Sequence, residues 1–335
     1  MEDKIKIHIT TKVYNTLLKD CEAFEFFKND NITLNKNAFL NTLINNYYLL
    51  FNEKEQTLYN LIKDSLENVI SNKNLEITTN ELVSKLNKIN NNQEKDKVSK
   101  IINLKPTKES IAAFSYIEEY LLKNYTLSEF FRNLFSSYCS LPQDEREKII
   151  FKKQYDTLLK AINNKKKVFF TTTQGGLSRH ESSPYAISTS KEELHCYLLA
   201  KHKTFCRTYR LSRIKEVVII NENVSFEEDD IKMFDKMIAF GPQFNYEPGE
   251  ETVIIKLTNK GKIMFRTHYT HRPIPDYVEG DYYYFSCSYA QIYSYFRRFG
   301  KEAFIISPHS LQQKLFMFHK QAITHYQDSF KTNRH

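Results

Sequence analysis

Three arginines and a tyrosine lie close together in the run Arg207-Thr-Tyr-Arg-Leu-Ser-Arg213. If this run forms a strand, Arg207, Tyr209 and Arg213 share one face and Arg210 points to the other. A guanidinium group binds phosphate through paired hydrogen bonds, and an arginine plane or a tyrosine ring can stack on an unpaired base. If a bulge or the strand twist brings two of these arginines beside Tyr197, the cluster could bind a nucleotide or a single-stranded nucleic acid.

The same arginines have a second interpretation, as surface residues paired with carboxylates such as Glu216 and Glu222. On residue types alone this second interpretation is favoured, because most charged side chains are solvated. The loop Gln174-Gly-Gly-Leu-Ser-Arg-His180 adds Arg179 and His180, although a turn between strands explains its glycines equally well. Further basic residues that could extend the cluster are Lys165, Lys166, Lys167, Arg266, Arg272, Arg297 and Arg298.

The net charge of +8 is unevenly distributed. Residues 1–150 contain 20 Lys and Arg against 21 Asp and Glu, whereas residues 151–335 contain 28 against 19. The basic excess therefore lies in the second half. It indicates a polyanionic partner for that half or, equally, a solvated basic surface.

Sequence motifs for catalysis and metal binding are missing. There is no His-Glu-x-x-His sequence, and the seven glycines are too dispersed for a phosphate-binding loop. The five cysteines form no Cys-x-x-Cys pair, which fits a reducing cytoplasm without disulfides or zinc. His268 and His271 lack further ligands, and Ser178, His180 and Glu181 are sequence neighbours, which rarely form a triad. We therefore expect no enzyme activity, no metal and no cofactor.

The first 51 residues predict one strand and two helices. Residues 4–10 alternate between isoleucines and polar side chains, as a half-buried strand requires. Thr10 or Thr11 can cap the next helix, and a second helix is predicted from Asn35 to Phe51. Strand, helix, helix is the ribbon-helix-helix unit, which reads DNA with a two-stranded ribbon in the major groove. The exposed ribbon face would carry Lys6, His8 and Thr10, although the neutral charge of this half favours a dimerisation scaffold over strong DNA binding.

The same unit is predicted to recur. Residues 100–105 form a short strand, a helix follows, and Thr126-Leu-Ser-Glu129 is typical of a capping box that opens another helix. The apolar positions of this helix match those of the earlier one at a constant offset of 91 residues, from Phe39 and Phe130 to Tyr47 and Tyr138. We therefore expect an internal duplication.

Strand patterns dominate the second half. Strands are predicted near 167–173, 185–189, 194–201, 205–211 and 214–220, which is typical of a small antiparallel barrel. The acidic run from Glu227 to Asp230 should open a helix. Residues 251–326 alternate strands and helices, which predicts an α+β sandwich.

Residues 184–214 resemble the WYL domain. The resemblance rests on Pro184-Tyr-Ala-Ile, on His195-Cys-Tyr-Leu-Leu199, and on the arginine run that ends at Ile214. The Trp-Tyr-Leu triplet of the family is here Cys196-Tyr-Leu, so the tryptophan is absent. The stretch Phe296–Pro308 resembles the extension that follows WYL domains. The resemblance implies that the arginines, Tyr197 and a basic residue near Arg179 or His180 form a ligand pocket.

Together with ribbon-helix-helix units, this pattern is similar to the WYL accessory proteins of type VI-D CRISPR systems. The stretch Leu257–Arg266, with Arg272-Pro273 after it, resembles that group as well. The resemblance implies binding of single-stranded RNA and stimulation of an RNA-guided RNase. Two alternatives stay open: a DNA-binding transcription repressor gated by a nucleotide or oligonucleotide in the WYL pocket, and a protein-interaction scaffold.

The expected fold class is α+β multidomain, with a small SH3-like or Sm-like WYL barrel. The expected boundaries are 1–52 and 99–142 for the ribbon-helix-helix-like units, 53–98 for a helical connector, 143–163 for a linker helix, 164–224 for the WYL domain, 225–250 for a connector, 251–327 for the extension and 328–335 for a tail. The expected partners are single-stranded RNA, a CRISPR effector RNase and a second copy in a homodimer, with DNA as the alternative. Because no apolar run approaches about 18 residues and the N-terminus lacks a signal-peptide core, we expect a cytoplasmic protein.

Overall fold

The computed structural model describes residues 4–90, 99–122, 125–173, 178–246 and 249–332. The chain divides into two compact units, Met1–Lys153 and Gln154–His335, and both combine helices with antiparallel strands. The expected α+β class is confirmed. Residues 91–98 of the expected connector 53–98 and residues 174–177 of the loop with the two glycines lie outside the described residues. A helix with the length and apolar character of a membrane span is not found in the part of the chain that the structure describes.

Helices dominate the first unit. Its elements are β1 (Ile5–Thr10), α1 (Thr11–Ala23), α2 (Lys36–Leu66), α3 (Asn72–Asn90), β2 (Ser99–Leu104), α4 (Ile111–Tyr116) with a π-helical turn at Ile117–Leu121, α5 (Leu127–Ser140) and α6 (Gln143–Ile150), and α7 (Lys152–Asn163) leads into the second unit. The predicted helix 143–163 is two helices, because the backbone leaves the helical conformation at Phe151. The ring of Phe151 packs against Phe24, with their centroids 5.9 Å apart.

β1 and β2 form an antiparallel ribbon within one chain. Lys6 lies opposite Asn103, so polar residues of both strands share the outer face of the ribbon. α5 holds β1 through the backbone: the Ser128 hydroxyl donates to the carbonyl of Lys6 at 3.0 Å, and Arg132 Nε donates to the carbonyl of His8 at 2.7 Å. The side chains of Lys6 and His8 therefore stay exposed.

The helix starts follow the capping residues that the sequence predicted. The Thr10 hydroxyl accepts from the backbone N–H of Val13 at 3.3 Å, and Thr126 and Glu129 form a reciprocal capping box at the start of α5. Asn35 caps α2. The two cap residues Asn35 and Thr126 are also 91 positions apart, as are the apolar residues of the two helices.

α2 and α5 pack against each other, and their contact includes Tyr47 and Tyr138, which the duplication makes equivalent. The rings of Tyr47 and Tyr138 meet edge to face at 6.1 Å, and the Tyr47 hydroxyl is 2.9 Å from the Ser137 hydroxyl. Phe51 and Phe130 pack at 5.4 Å. Contact between equivalent positions is what an approximate twofold axis produces. These aromatic residues belong to the core, as expected.

A buried ion pair joins α1 to α6. Arg146 donates through Nε and Nη2 to the two carboxylate oxygens of Asp20, at 2.6 and 2.8 Å. Only 12% of the Arg146 side chain and 2% of the Asp20 side chain are exposed. The guanidinium group also lies over the ring of Tyr138. Because both charges are removed from water, each depends on the other for its stabilisation.

Replacing Arg146 by alanine should destabilise the protein by about 3–5 kcal/mol, because Asp20 is then buried without a partner. Urea unfolding followed by circular dichroism measures this loss. Lys85→Ala removes only an exposed pair with Glu81 and should change the free energy of unfolding by at most about 0.5 kcal/mol. The double variant Asp20→Ala/Arg146→Ala should recover part of the loss, and no recovery would argue against an uncompensated charge as its cause.

Five antiparallel strands form the first sheet of the second unit. They are β3 (Lys166–Thr172), β4 (Ser178–Thr189), β5 (Cys196–His202), β6 (Phe205–Arg210) and β7 (Ile214–Asn223), in the order β6-β5-β4-β3-β7. The expected closed barrel is not formed, because β6 and β7 are not paired with each other within the described residues. β4 bends: its first part pairs with β3 and its second part with β5, with a register shift between Pro184 and Ala186.

α8 (Glu228–Phe240) packs against this sheet. Its residues Phe234 and Met237 are buried with Leu199 of β5 and Cys206 of β6. The helix begins at Glu227, whose carboxylate shares a capping box with Asp230. The acidic helix start that the sequence predicted is therefore confirmed.

The rest of the second unit is a second antiparallel sheet with helices. Its elements are β8 (Val253–Leu257), α9 (Asn259–Thr267), β9 (Tyr277–Glu279), β10 (Tyr282–Phe285), α10 (Tyr289–Phe296), β11 (Ala303–Ser307) and α11 (His309–Thr332). The strand order β11-β8-β10-β9 makes this a split β-α-β arrangement. Ile255, Phe285 and Phe296 are central to its core. The predicted strands and helices are found in the predicted order, and the short strand β9 (Tyr277–Glu279) is added before β10.

α9 approaches β11 closely at Gly261. A Cβ atom at this position would overlap the backbone carbonyl oxygen of Glu302. The same carbonyl accepts from the backbone N–H of Thr258 at 3.1 Å, and the Thr258 hydroxyl caps α9 by accepting from Gly261 N–H at 3.1 Å. Glycine at 261 thus lets the first turn of α9 close onto the start of β11.

Gly261→Ala should destabilise the protein by about 1–3 kcal/mol, because the added methyl group forces the backbones apart. Helix propensity alone predicts the opposite change in stability, because alanine is a better helix former than glycine by about 1 kcal/mol. A loss of stability would therefore point to the close approach of the two backbones. Thermal unfolding measures the change, with Lys260→Ala in the same turn as a control that should stay near the wild type. An unchanged or higher Tm for Gly261→Ala would contradict the close approach.

Candidate nucleic-acid interface

Several of the predicted site residues meet in a groove along the free edge of β6. We call it the β6 groove, and its volume is about 580 Å³. Its lining residues are Thr172, Ser178, His180, His202, Lys203, Phe205, Arg207, Thr208, Tyr209, Arg210, Arg213 and Asn245. Four of these carry a permanent positive charge at neutral pH, and none is a carboxylate.

β6 distributes its side chains to two faces. In register with β5, Arg207 and Tyr209 point to one face, and Thr208 and Arg210 point to the other. The strand ends at Arg210, because residues 211–213 form a 3-10 turn in which Leu211 and Ser212 are buried. The predicted continuous strand through Arg213 is therefore wrong. Arg213 reaches the groove from this turn.

Aromatic rings lie beside the arginines in the β6 groove. The ring of His180 stacks on Phe170 at 5.2 Å and lies 5.0 Å from the ring of Tyr209. Burial, together with the charges of His202 and Arg207, lowers the pKa of His180 below its ordinary value. At neutral pH the imidazole of His180 is therefore uncharged, and the groove combines cations with neutral rings.

The groove residues that were not among the predicted site residues include His202, Lys203, Phe205 and Asn245. The Arg207 guanidinium lies 5.6 Å from the ring centroid of Phe205, and Asn245 Oδ1 accepts from the backbone N–H of Thr208 at 2.9 Å. The first three belong to the β5–β6 hairpin, so their closeness to Arg207 could have been inferred from strand pairing. Asn245 comes from the segment after α8, where no residue pattern indicated a site.

Tyr197 does not line the groove. It is only 8% exposed, and its hydroxyl donates to the Glu193 carboxylate at 2.5 Å. Of the three arginines only Arg210 lies in register with Tyr197, and Arg210 Nη2 donates to His195 Nε2 at 2.8 Å. The ring that accompanies Arg207 and Arg213 is that of Tyr209.

Arg179 and His180 point to opposite faces of β4. Arg179 lies opposite Thr171 and is exposed, whereas His180 lies opposite Phe170 and faces the groove. Alternation along the strand therefore brings His180, and not Arg179, to the arginines.

The two lysines of β3, Lys166 and Lys167, contact side chains of β4 and β7. Lys167 Nζ lies 2.6 Å from the carboxylate of Glu222 and 3.3 Å from that of Glu181. Lys166 donates to the Asn221 side chain at 2.9 Å, and Lys165 is exposed. Glu222, considered above as a partner of the arginines, thus pairs with a lysine.

The four arginines of the C-terminal extension lie outside the β6 groove. Arg298 donates to the backbone carbonyl of Thr270 at 2.9 Å, and Arg272 donates to carbonyls at the end of α9. Both arginines therefore hold the loop after α9. Arg266 and Arg297 are exposed.

His271 in the same loop has a carboxylate partner. Its Nδ1 lies 3.0 Å from Glu192 in the turn between β4 and β5. Among the described residues, no three His, Cys, Asp or Glu side chains are arranged to hold a metal ion.

The ribbon of the first unit presents two of its three predicted DNA-reading residues. Lys6 and His8 are exposed on its outer face. Thr10 is only 9% exposed, because its hydroxyl caps α1. The expectation that Thr10 lies on the exposed face is therefore wrong.

Comparison with known proteins gives a match in fold. No family model and no curated protein matches the sequence. A solved structure described as "Crystal structure of a CRISPR Cas-related protein" matches with a TM-score of 0.71 over 98% of this chain and 95% of that chain, at 19% identity. This chain has the fold of that CRISPR Cas-related protein. The resemblance drawn above from the residues is confirmed as far as the fold of a CRISPR Cas-related protein.

A second solved structure, proteasome accessory factor B/C (PafBC) of Arthrobacter aurescens, matches over 64% of this chain and 35% of that chain. Its TM-score is 0.25 at 13% identity. A TM-score this low does not establish a shared fold.

The lowered pKa of His180 predicts a pH effect on stability. Because the folded state disfavours the imidazolium, stability is full above the ordinary histidine pKa of about 6.5 and falls as the pH drops through and below it. Chemical denaturation at pH 7.5 and 5.5 measures the difference. In His180→Gln this difference should be smaller than in the wild type. An equal difference in both proteins would show that other groups cause the acid sensitivity.

Proposed function

We propose that this chain is a non-enzymatic regulator that binds single-stranded RNA in the β6 groove and modulates an RNA-guided RNase of a CRISPR system. One observation carries the proposal: Lys203, Arg207 and Arg213 line the groove together with Tyr209, and none of the lining residues that the structure describes is a carboxylate. Cations for phosphates beside rings for bases are typical of single-strand sites. The fold shared with a CRISPR Cas-related protein supports the CRISPR setting.

The rings in the groove favour a single strand over a duplex. In a duplex the base faces are stacked on one another, so Tyr209 and Phe205 could touch only the backbone. An unpaired base can stack on either ring while the neighbouring arginines bind its flanking phosphates. The Ser178 hydroxyl and the Asn245 amide also line the groove and are suited to 2′-hydroxyl groups, which favours RNA over DNA.

In the first unit we propose two ribbon-helix-helix units fused in one chain. The intrachain ribbon, the constant offset of 91 residues and the contact of Tyr47 with Tyr138 support this assignment. Because the ribbon is completed within one chain, it does not require a second copy. The homodimer expected from the sequence remains a proposal, which light scattering of the purified protein would test.

A DNA-binding repressor is the second candidate function. The exposed Lys6, His8 and Asn103 on the outer face of the ribbon favour it, because a two-stranded ribbon can enter the major groove. The charge balance opposes it: residues 1–150 contain 20 Lys and Arg against 21 Asp and Glu, too even for strong attraction to phosphates.

Fluorescence anisotropy with labelled single-stranded RNA, single-stranded DNA and duplex DNA tests the proposal. We expect the tightest binding to single-stranded RNA. Arg207→Ala/Arg213→Ala should weaken it at least about tenfold, because hydrogen bonds to charged groups contribute about 1.5–3 kcal/mol each. If each arginine neutralises one phosphate, the slope of log K against log salt should become shallower by about 1.4.

Arg179→Ala/Arg297→Ala is the matched control, since it removes the same charge from exposed sites outside the groove. It should bind RNA nearly as the wild type does. An equal loss of RNA affinity in both double variants would show that affinity depends on the net charge and not on the groove. Preference for duplex DNA, lost on Lys6→Ala and unaffected by the groove arginines, would make the repressor the working model.

A cleavage assay tests the regulatory part of the proposal. The full chain is added to a purified type VI-D RNA-guided RNase, and cleavage of a fluorescent reporter RNA is followed. We expect a faster rate with the wild type and little change with Arg207→Ala/Arg213→Ala. Equal stimulation by both proteins would separate RNase modulation from the β6 groove.

A further inference from the structure

The second sheet of the second unit has an outer face that the proposed function does not use. Its inner face is buried: Val253, Ile255 and Phe285 are 0% exposed. The outer face carries aromatic residues in contact with solvent. Phe304 of β11 is 56% exposed and Tyr282 of β10 is 37% exposed. Burying such rings in the core is the usual outcome, so a set of exposed rings on one face calls for a partner.

The strand register aligns these rings with a lysine. Phe304 on one side and Tyr282 on the other both lie opposite Lys256 of β8. Lys256 is exposed, and its Nζ lies 5.5 Å from the ring centroid of Tyr282. A row of ring, ammonium and ring therefore crosses three neighbouring strands, which are about 4.8 Å apart in any sheet.

A second row of rings runs beside the first. Tyr284 of β10 lies opposite Tyr277 of β9, and the two rings stack with centroids 4.0 Å apart. Tyr277 is 56% exposed. The outer face thus presents four aromatic rings in two rows, with Lys256 between the two rings of the first row.

We propose that this outer face, which we call the aromatic sheet face (Lys256, Tyr277, Tyr282, Tyr284 and Phe304), is a second binding site for single-stranded nucleic acid. Flat rings suit unpaired bases, because every base has a π-face. A four-stranded antiparallel sheet that presents rings to two or three bases is also how RNA-recognition motifs bind single strands. The site is separate from the β6 groove and does not depend on the function proposed for that groove.

The positive charge of the second unit favours a nucleic acid over a protein as the binding partner of the aromatic sheet face. Residues 154–335 contain 26 Lys and Arg against 19 Asp and Glu, so this unit attracts a polyanion. Lys256 lies between the rings, where it can bind the phosphate that links two stacked bases. Glu279 lies opposite Tyr282 and continues the first row on β9, where its carboxylate accepts from the Tyr284 hydroxyl at 3.5 Å.

A groove extends the aromatic sheet face beyond Phe304. It lies between β11 and α11, has a volume of about 360 Å³, and is lined by Phe304, Phe316, His309, His319 and the side chains of Gln312 and Gln313, among others. Among the described residues, no carboxylate lines it. The amides of Gln312 and Gln313 are hydrogen-bonded to His309, and that of Gln312 also to the carbonyl of Ile305, whereas the rings of Phe304 and Phe316 can stack on a base. A strand that crosses the sheet therefore meets further compatible groups at its β11 edge.

Tyr282→Ala/Phe304→Ala tests the proposal in the full chain. The probes are a labelled uridine 20-mer and an otherwise identical 20-mer with abasic positions. We expect the variant to bind the uridine probe at least about tenfold more weakly than the wild type does, because base–aromatic stacking is lost. Its slope of log K against log salt should stay unchanged, since no phosphate contact is removed. Binding of the abasic probe should be affected little.

Two further variants serve as controls. Tyr326→Ala removes an exposed tyrosine on α11 and should bind as the wild type does. Tyr282→Leu/Phe304→Leu keeps apolar side chains but removes the flat rings, so it should reproduce the loss even if the alanine variant is unstable. A DNA 20-mer of the same sequence shows whether the face distinguishes RNA from DNA.

The outcomes separate this site from the β6 groove. If both ring variants bind RNA with wild-type affinity while Arg207→Ala/Arg213→Ala loses binding, the aromatic sheet face is not a binding site and the β6 groove is. The reverse pattern would overturn the groove and leave the aromatic sheet face. If the ring variants change only the oligomeric state in light scattering, the face is a protein interface and the proposal is wrong.

Discussion

The position of β6 at the edge of its sheet controls how the cationic side chains can act together. A central strand would offer one face to a ligand, because neighbours cover its edges. β6 has a neighbour on one side only, so Arg207 and Tyr209 from one face and Arg210 from the other line the same groove. The turn after Arg210 completes the groove by adding Arg213. A closed barrel would have removed this edge.

Several cations outside the groove are held by internal hydrogen bonds and ion pairs. Arg146 is held by Asp20, Lys167 by Glu222 and Arg298 by a backbone carbonyl. A charge that already has a partner gains little from a phosphate, because the first interaction must be broken. In the described part of the chain, none of the residues that line the β6 groove is a carboxylate. An external anion in this groove therefore meets Lys203, Arg207, Arg210 and Arg213 together, which the basic excess of the chain alone would not indicate.

The second unit thus combines two surfaces with different physical character. The β6 groove acts mainly through charge, so its affinity should depend on salt, whereas the aromatic sheet face acts mainly through stacking. A single strand that contacts both would gain from their effective concentration without any new contact. In the first unit the aromatic residues of a repeated helix, such as Tyr47 and Tyr138, form the core instead of a binding surface.

Local patterns in the sequence determined much of this protein. Capping residues such as Thr10 and Thr126, the strand and helix order of both units, and the resemblance to WYL proteins all depend on neighbours within a few positions. Tertiary structure decided the rest. The turn at Arg210, the burial of Tyr197, and the row of rings on the second sheet depend on strand register and on residues far apart in the chain. No period in the sequence specifies which distant strands pair, because register is set by packing of the whole sheet.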